Sequence, residues 1–252
     1  MANRSQREPA PFMAEIRSWS ELGSALLLGS TELVSLVGGG GKTSAAFALA
    51  THRPGRRIVT TTTKMGSDRT DGLPVLIQPS DDDVRRTLDL NPAVVIWDAV
   101  ADHRALGVEP ETCDRWLTMA DTVAVEADGS RRRPFKAPAN YEPVIPAATT
   151  TLVACVGLAA LNAPIREGCH RPERVADVAA CTPEDLLTPE RLVRVLMSHN
   201  GSRRGQPATA RFSVIVNRCT PERRSLAVEI AERLADTDPT VRTVVVDEGA
   251  AS

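Results

Sequence analysis

Residues 32–50 read ELVSLVGGGGKTSAAFALA. An apolar strand, Leu33–Val37, runs into four glycines, then Lys42, Thr43 and Ser44, then an alanine-rich helix expected over Thr43–Thr51. Glycine reaches backbone conformations closed to other residues, so successive N–H groups can point into one concavity. The positive end of the following helix adds a favourable field for an anion. In a nucleotide site of this kind Lys42 reaches the β- and γ-phosphates and the Thr43 hydroxyl ligates magnesium. The long motif G-x-x-x-x-G-K-[ST] would need a first glycine at position 36, which is Leu36. The match is to the shorter G-x-x-G-K-T, so Gly38, Gly39, Gly40, Gly41, Lys42, Thr43 and Ser44 are the expected phosphate contacts. A glycine-rich turn without a ligand is the plain alternative.

Outward from this segment, short β-branched runs alternate with helical patterns. Strands are expected at Arg57–Thr61, Pro74–Ile77, Ala93–Trp97, Thr122–Glu126, Leu152–Val156, Phe212–Val216 and Arg242–Val246. Helices are expected at Asp81–Leu90, Glu111–Ala120, Pro189–Ser198 and Pro221–Ala235. Pro189 and Pro221 each follow a threonine, the cap-then-proline order that starts helices. Runs such as AVVIW suit strands buried on both faces of a parallel sheet. The expected fold is α/β and P-loop NTPase-like: a mostly parallel, doubly wound sheet with helices on both faces. One domain over 1–252 is expected, with flexible ends at 1–14 and 248–252. Residues 129–150 and 198–210 interrupt the rhythm as long loops.

Composition narrows the partners. The 252 residues carry 30 basic and 32 acidic side chains, a net charge of −2, which argues against broad nucleic-acid or membrane-surface binding. Aromatic residues at 3% are too few for base-stacking platforms. Five scattered cysteines without a C-x-x-C fit reduced thiols in a cytoplasmic protein. No signal-type segment opens the chain and the longest apolar run is too short to span a bilayer. Of the 30 basic residues 27 are arginine, so Lys42, Lys64 and Lys136 stand out as places where a compact ammonium is wanted.

The second informative segment is TVAVEADGS, Thr122–Ser130. Residues two apart on an extended chain share a face, so Glu126 and Asp128 both look toward the phosphate loop. A strand-end acid can hold a magnesium shell or orient a water, and Asp128 is the favoured metal ligand with Thr43. Arg131, Arg132, Arg133 and Lys136 follow, cations able to clamp a γ-phosphate or an anionic substrate. VTTTTKMG places Thr62, Thr63 and Lys64 at a strand's carboxyl end, where α/β ligands bind. His170 and Arg171 of HRPE are substrate-side candidates. Asn217 of VIVNRCT resembles the start of the N-K-x-D guanine-reading element, but Arg218 and Thr220 replace its lysine and aspartate, so ATP is favoured over GTP. Solvated cations, a simple Asp-Gly turn and structural threonines or histidine are the plain alternatives.

VGGGGKTS, VTTTTKM, VEADGSRRRPFKAPANYEPVIP, GLAALNAPI…HRPERV and VIVNRCT, in this order over residues 20–245, resemble the YqeC family. That family is described as accessory proteins for selenium-dependent molybdenum hydroxylases, or selenium cofactor biosynthesis proteins. The resemblance implies a P-loop protein binding Mg²⁺ and ATP and acting in maturation of a molybdenum hydroxylase or its cofactor. It puts Lys42, Thr43, Asp128, Lys136 and His170 on the matching positions. A Mg-dependent ATPase or phosphoryl-transfer enzyme, with Lys42, Glu126, Asp128 and Lys136 as its machinery, is the leading reading. A non-catalytic nucleotide-gated chaperone and a small-molecule kinase or Mur-like ligase are the alternatives. A dinucleotide oxidoreductase fits least, because it has no use for Lys42 and Thr43 after the glycines.

Overall fold

The computed structural model describes residues 12–251. Its main sheet comprises β1 (Met13–Ser18), β2 (Glu32–Gly38), β3 (Arg57–Thr61), β5 (Val75–Ile77), β6 (Ala93–Trp97), β9 (Thr122–Glu126), β11 (Thr151–Gly157), β13 (Arg211–Cys219) and β14 (Arg242–Ala251). A small antiparallel sheet holds β4 (Lys64–Gly66), β7 (Ala99–Ala101) and β8 (Arg104–Leu106), and β10 (Phe135–Lys136) pairs with β12 (Cys169–His170). The main sheet runs β1-β14-β13-β11-β2-β9-β3-β6-β5, and all its pairings are parallel.

Strand β2 lies in the interior of this sheet, and its seven residues are all buried. Their alternation splits the core. Val34 and Leu36 pack with helix Lys42–His52, whereas Leu33 joins Val84, Leu88 and Trp116 from helices Asp81–Leu90 and Pro110–Trp116 on the opposite face. Helices Pro172–Ala179, Pro189–Met197 and Arg224–Thr237 cover that second face toward β13 and β14. Helices therefore flank both faces of a parallel sheet, the α/β arrangement expected. Phe47 is fully buried in helix Lys42–His52, so cutting it to alanine would cost about 3–5 kcal/mol and loosen the helix that presents Lys42.

Register sets the site. Leu36 pairs with Glu126, Thr61 pairs with Glu126 from the other side, Gly38 pairs with Cys155, and Gly157 pairs with Asn217. The glycine loop, the acidic strand end, the threonine run and Asn217 thus meet along the sheet's carboxyl edge, where α/β proteins bind ligands.

Several boundaries differ from expectation. The helix expected over Glu111–Ala120 stops at Trp116, where Leu117 to Ala120 turn back in short-range hydrogen bonds. Pro221 opens a short 3-10 turn before the α-helix starts at Arg224. Residues 1–11 and 252 of the expected flexible ends lie outside the described residues. Within them, Met13 and Ala14 begin β1, and β14 runs through Ala251. Among the described residues, no helix is long and apolar enough to cross a membrane.

Candidate functional site

The β2–helix junction turns through Gly38, Gly40 and Gly41 at φ of 91°, 85° and 126°. At Gly40 the requirement is also steric: a Cβ there would stand 2.5 Å from the Gly157 nitrogen. The four glycines do different work. Gly38 N–H donates to Asp128 Oδ2 at 3.0 Å and Gly39 N–H to the Cys155 carbonyl at 3.0 Å, so both are committed inside the protein. Gly40 and Gly41 line a cleft of 1640 Å³, together with Lys42, Thr43 and Ser44. Helix Lys42–His52 has no side-chain cap at its start, which leaves first-turn N–H groups directed at the cleft.

Behind the loop lies a buried chain of charges. Lys42 Nζ donates to the Gly38 carbonyl at 2.5 Å, 3.1 Å from Asp128 Oδ1 and 3.9 Å from Glu126 Oε1. Burial opposes the Lys42 charge, yet Asp128 and Glu126 hold its pKa above the ordinary lysine value. Lys136 Nζ lies 3.1 Å from Asp128 Oδ2 and donates to Glu142 Oε2 at 2.6 Å and to the Gly129 carbonyl at 2.7 Å. Glu142 Oε2 accepts from Arg171 Nη1 at 2.8 Å. Burial works against the Glu142 charge, but Lys136 and Arg171 outweigh it and hold its pKa below the usual carboxylate value.

The two acids of TVAVEADGS occupy different places. Glu126 lines the cleft and accepts from the Thr43 hydroxyl at 2.7 Å. Burial raises its pKa, against the pull of Lys42 and Thr43. Asp128, only 2% exposed, is turned inward between the two lysines, and its Oδ1 has no aligned hydrogen-bond donor.

The other expected site residues divide in the same way. Thr63, Arg131, His170, Arg171 and Asn217 line the cleft. The Thr62 hydroxyl donates to the Val144 carbonyl, and Arg133 donates to the Glu167 carbonyl, so both tie segments together. Lys136, expected to meet a substrate, is 1% exposed and pairs internally. Asn217 is committed to the loop: Nδ2 donates to the Gly40 carbonyl at 3.1 Å while Oδ1 accepts from Arg218 N–H at 2.8 Å. Sequence reasoning missed Glu142, Arg69 and Arg104, all three of which line the cleft. Glu142 carried a signal, being the only carboxylate among four cations in residues 129–150. Arg69, which donates to the Ser44 hydroxyl at 3.2 Å and stacks 5.0 Å from the Phe47 ring centre, carried none.

Residues 34–173 match the YqeC protein family. A protein of Escherichia coli (strain K12), named "Uncharacterized protein YqeC", is 31% identical over 194 residues, covering 74% of this chain and 75% of that one. No solved structure matches the chain. The family match runs from β2 through the HRPE segment, and so takes in the glycine loop, both strand-end acids and the cationic loop. The chain belongs to the YqeC family.

Proposed function

We propose that this protein binds a magnesium nucleotide, ATP before GTP, at Gly40–Ser44 and uses it in maturation of a molybdenum hydroxylase or its cofactor. One observation carries the first half: a buried strand, a glycine turn and an uncapped eleven-residue helix open together on a cleft with Lys42, Thr43 and Glu126 on its floor. The donors suit the ligand. Thr43 and Glu126 offer adjacent hard oxygens for magnesium, and the helix start with Lys42 offers positive charge for phosphate. Glu126 takes the metal-side place that the sequence assigned to Asp128, because it alone of the two faces the cleft. The bound ion would neutralise phosphate charge; Lys42 would turn from Asp128 to the phosphates. The maturation role rests on family membership and on the description the resemblance carries.

Titration calorimetry with Mg-ATP tests the binding half, with one equivalent expected and no measurable heat overturning it. Deletion in cells tests the second half: hydroxylase activity should fall while hydroxylase protein persists. The gated-chaperone reading keeps one specific support, the charge chain Lys42–Asp128–Lys136–Glu142–Arg171, which links the nucleotide loop to residues 129–142. Steady-state turnover without a partner protein would decide against it.

A further inference from the structure

The cleft is larger than one ligand requires. Its 1640 Å³ exceeds the roughly 300–1,000 Å³ of ordinary small-molecule sites. One wall is cationic and lies against the nucleotide loop. Residues Arg131 and Arg132 begin the stretch whose Pro134 carbonyl accepts from Gly157 N–H, and a Cβ on Gly39 would stand 3.0 Å from the Phe135 nitrogen. The β10–β12 pairing brings His170 beside Lys136, and Glu142 holds Arg171 in place. Among the described residues, neither the Arg131 nor the Arg132 guanidinium has a hydrogen-bond or ion-pair partner. All three cleft-lining arginines of this wall have left-handed backbones, at φ of 49°, 62° and 56° for Arg131, Arg132 and Arg171. Residues with a Cβ adopt that conformation uncommonly, and a cluster of three in one cleft wall is the kind of backbone strain found at ligand sites.

Glu142, the carboxylate that pairs with this wall, is shared by Lys136 and Arg171, so the wall keeps excess positive charge. The His170 imidazole responds to that field. Burial first, then Arg171, Lys136 and Arg131, push its pKa down to about 4 against the opposing pull of Glu142. Two free guanidiniums that line the same cleft as a neutral imidazole suit a phosphate group, which arginine grips through two parallel hydrogen bonds.

We propose that Arg131, Arg132, His170 and Arg171 form a second anion subsite that takes the phosphate group of a phosphorylated small-molecule substrate while the glycine loop holds the nucleotide. The inference rests on the nucleotide reading above and names the substrate class that shares its cleft. The test is a phosphorus NMR titration of inorganic phosphate into the full chain saturated with Mg²⁺ and a non-hydrolysable ATP analogue. One equivalent of phosphate should bind. The double variant Arg131→Asn/Arg132→Asn, chosen because asparagine tolerates left-handed backbone, should weaken phosphate at least tenfold and leave analogue affinity within threefold. Phosphate that binds beside Mg-ADP but not beside the analogue would assign these arginines to the γ-phosphate and overturn the proposal. So would an unchanged phosphate affinity in the double variant, or analogue binding with no phosphate equivalent. A chain that binds no analogue at all overturns the nucleotide reading, and this inference with it.

Discussion

Lys42 and Lys136 share one carboxylate, each ammonium 3.1 Å from a different oxygen of Asp128. Lys42 belongs to the glycine loop and Lys136 to the cationic loop, so Asp128 joins the two segments through charge. The arrangement gives Lys42 freedom at low cost. If it turns outward to phosphate, Asp128 keeps Lys136 and the Gly38 N–H as partners and is not left as a lone buried charge.

Lys42→Ala should therefore have two effects. Loss of the ammonium should weaken Mg-ATP at least tenfold, about 1.4 kcal/mol. Lys42 is 4% exposed and pairs with two buried acids, but Asp128 keeps Lys136 and Glu126 keeps the Thr43 hydroxyl, so the variant should also lose only about 1 kcal/mol of stability. The sequence alone suggested a residue facing only its ligand. Calorimetry and urea unfolding read the two effects separately, and full retention of both would defeat the assignment.

Glu126→Gln and Asp128→Asn should separate cleanly. The glutamine can still accept from Thr43, so nucleotide affinity measured in EDTA should hold while the gain from magnesium is lost. Burial raises the Glu126 pKa, so its ionisation penalises the folded state as pH rises from the ordinary carboxylate value through the folded one. Glu126→Gln should then be no less stable than the native chain at neutral pH. Asp128→Asn removes the partner of two buried lysines and should cost about 3 kcal/mol of stability. The assignment is wrong if Asp128→Asn loses the magnesium gain and Glu126→Gln keeps it.

The parallel sheet was legible because its strands are continuous apolar runs, AVVIW and FSVIV, that suit only burial on both faces. Strand β1 was not, since MAEIRS has a single fully buried position and is fixed by pairing with β14 more than two hundred residues later. The three-residue strands β4, β7 and β8 are too short to show a period. In the site, the glycine loop was readable from composition and order alone. The depth of Lys136 was not: a lysine after three arginines reads as a solvated cation, and only the return of Glu142 and the inward turn of Asp128 bury it. Its rarity in an arginine-rich chain was the one hint.

His170 should titrate far below an ordinary histidine. Its folded pKa of about 4 lies under the model-peptide value of 6.5, so the unfolded chain takes up its proton first. Stability from this residue is complete above pH 6.5 and is lost as pH falls toward about 4. An NMR titration of the imidazole C–H should show that midpoint, and His170→Gln should flatten the stability slope across the window. Saturating phosphate should move the midpoint upward, by placing an anion among Arg131, Lys136 and Arg171. A midpoint near 6.5 in the free protein would mean that the cationic wall does not form.

Lys136 should matter for nucleotide binding although it lies behind the cleft. With Lys136→Met, Asp128 depends on Lys42 for its only ammonium, so drawing Lys42 toward phosphate would strand a buried carboxylate. Mg-ATP affinity should fall about tenfold, or 1.4 kcal/mol. Adding Asp128→Asn removes that conflict, because a neutral amide makes no such demand on Lys42. The double variant should therefore recover much of the lost affinity, even though each substitution alone lowers stability. Contacting residues of this kind couple by roughly 0.5–3 kcal/mol, which calorimetry on the four proteins of the cycle can resolve. Strict additivity of the two substitutions would show that Lys136 only supports the loop, and that Asp128 places no hold on Lys42.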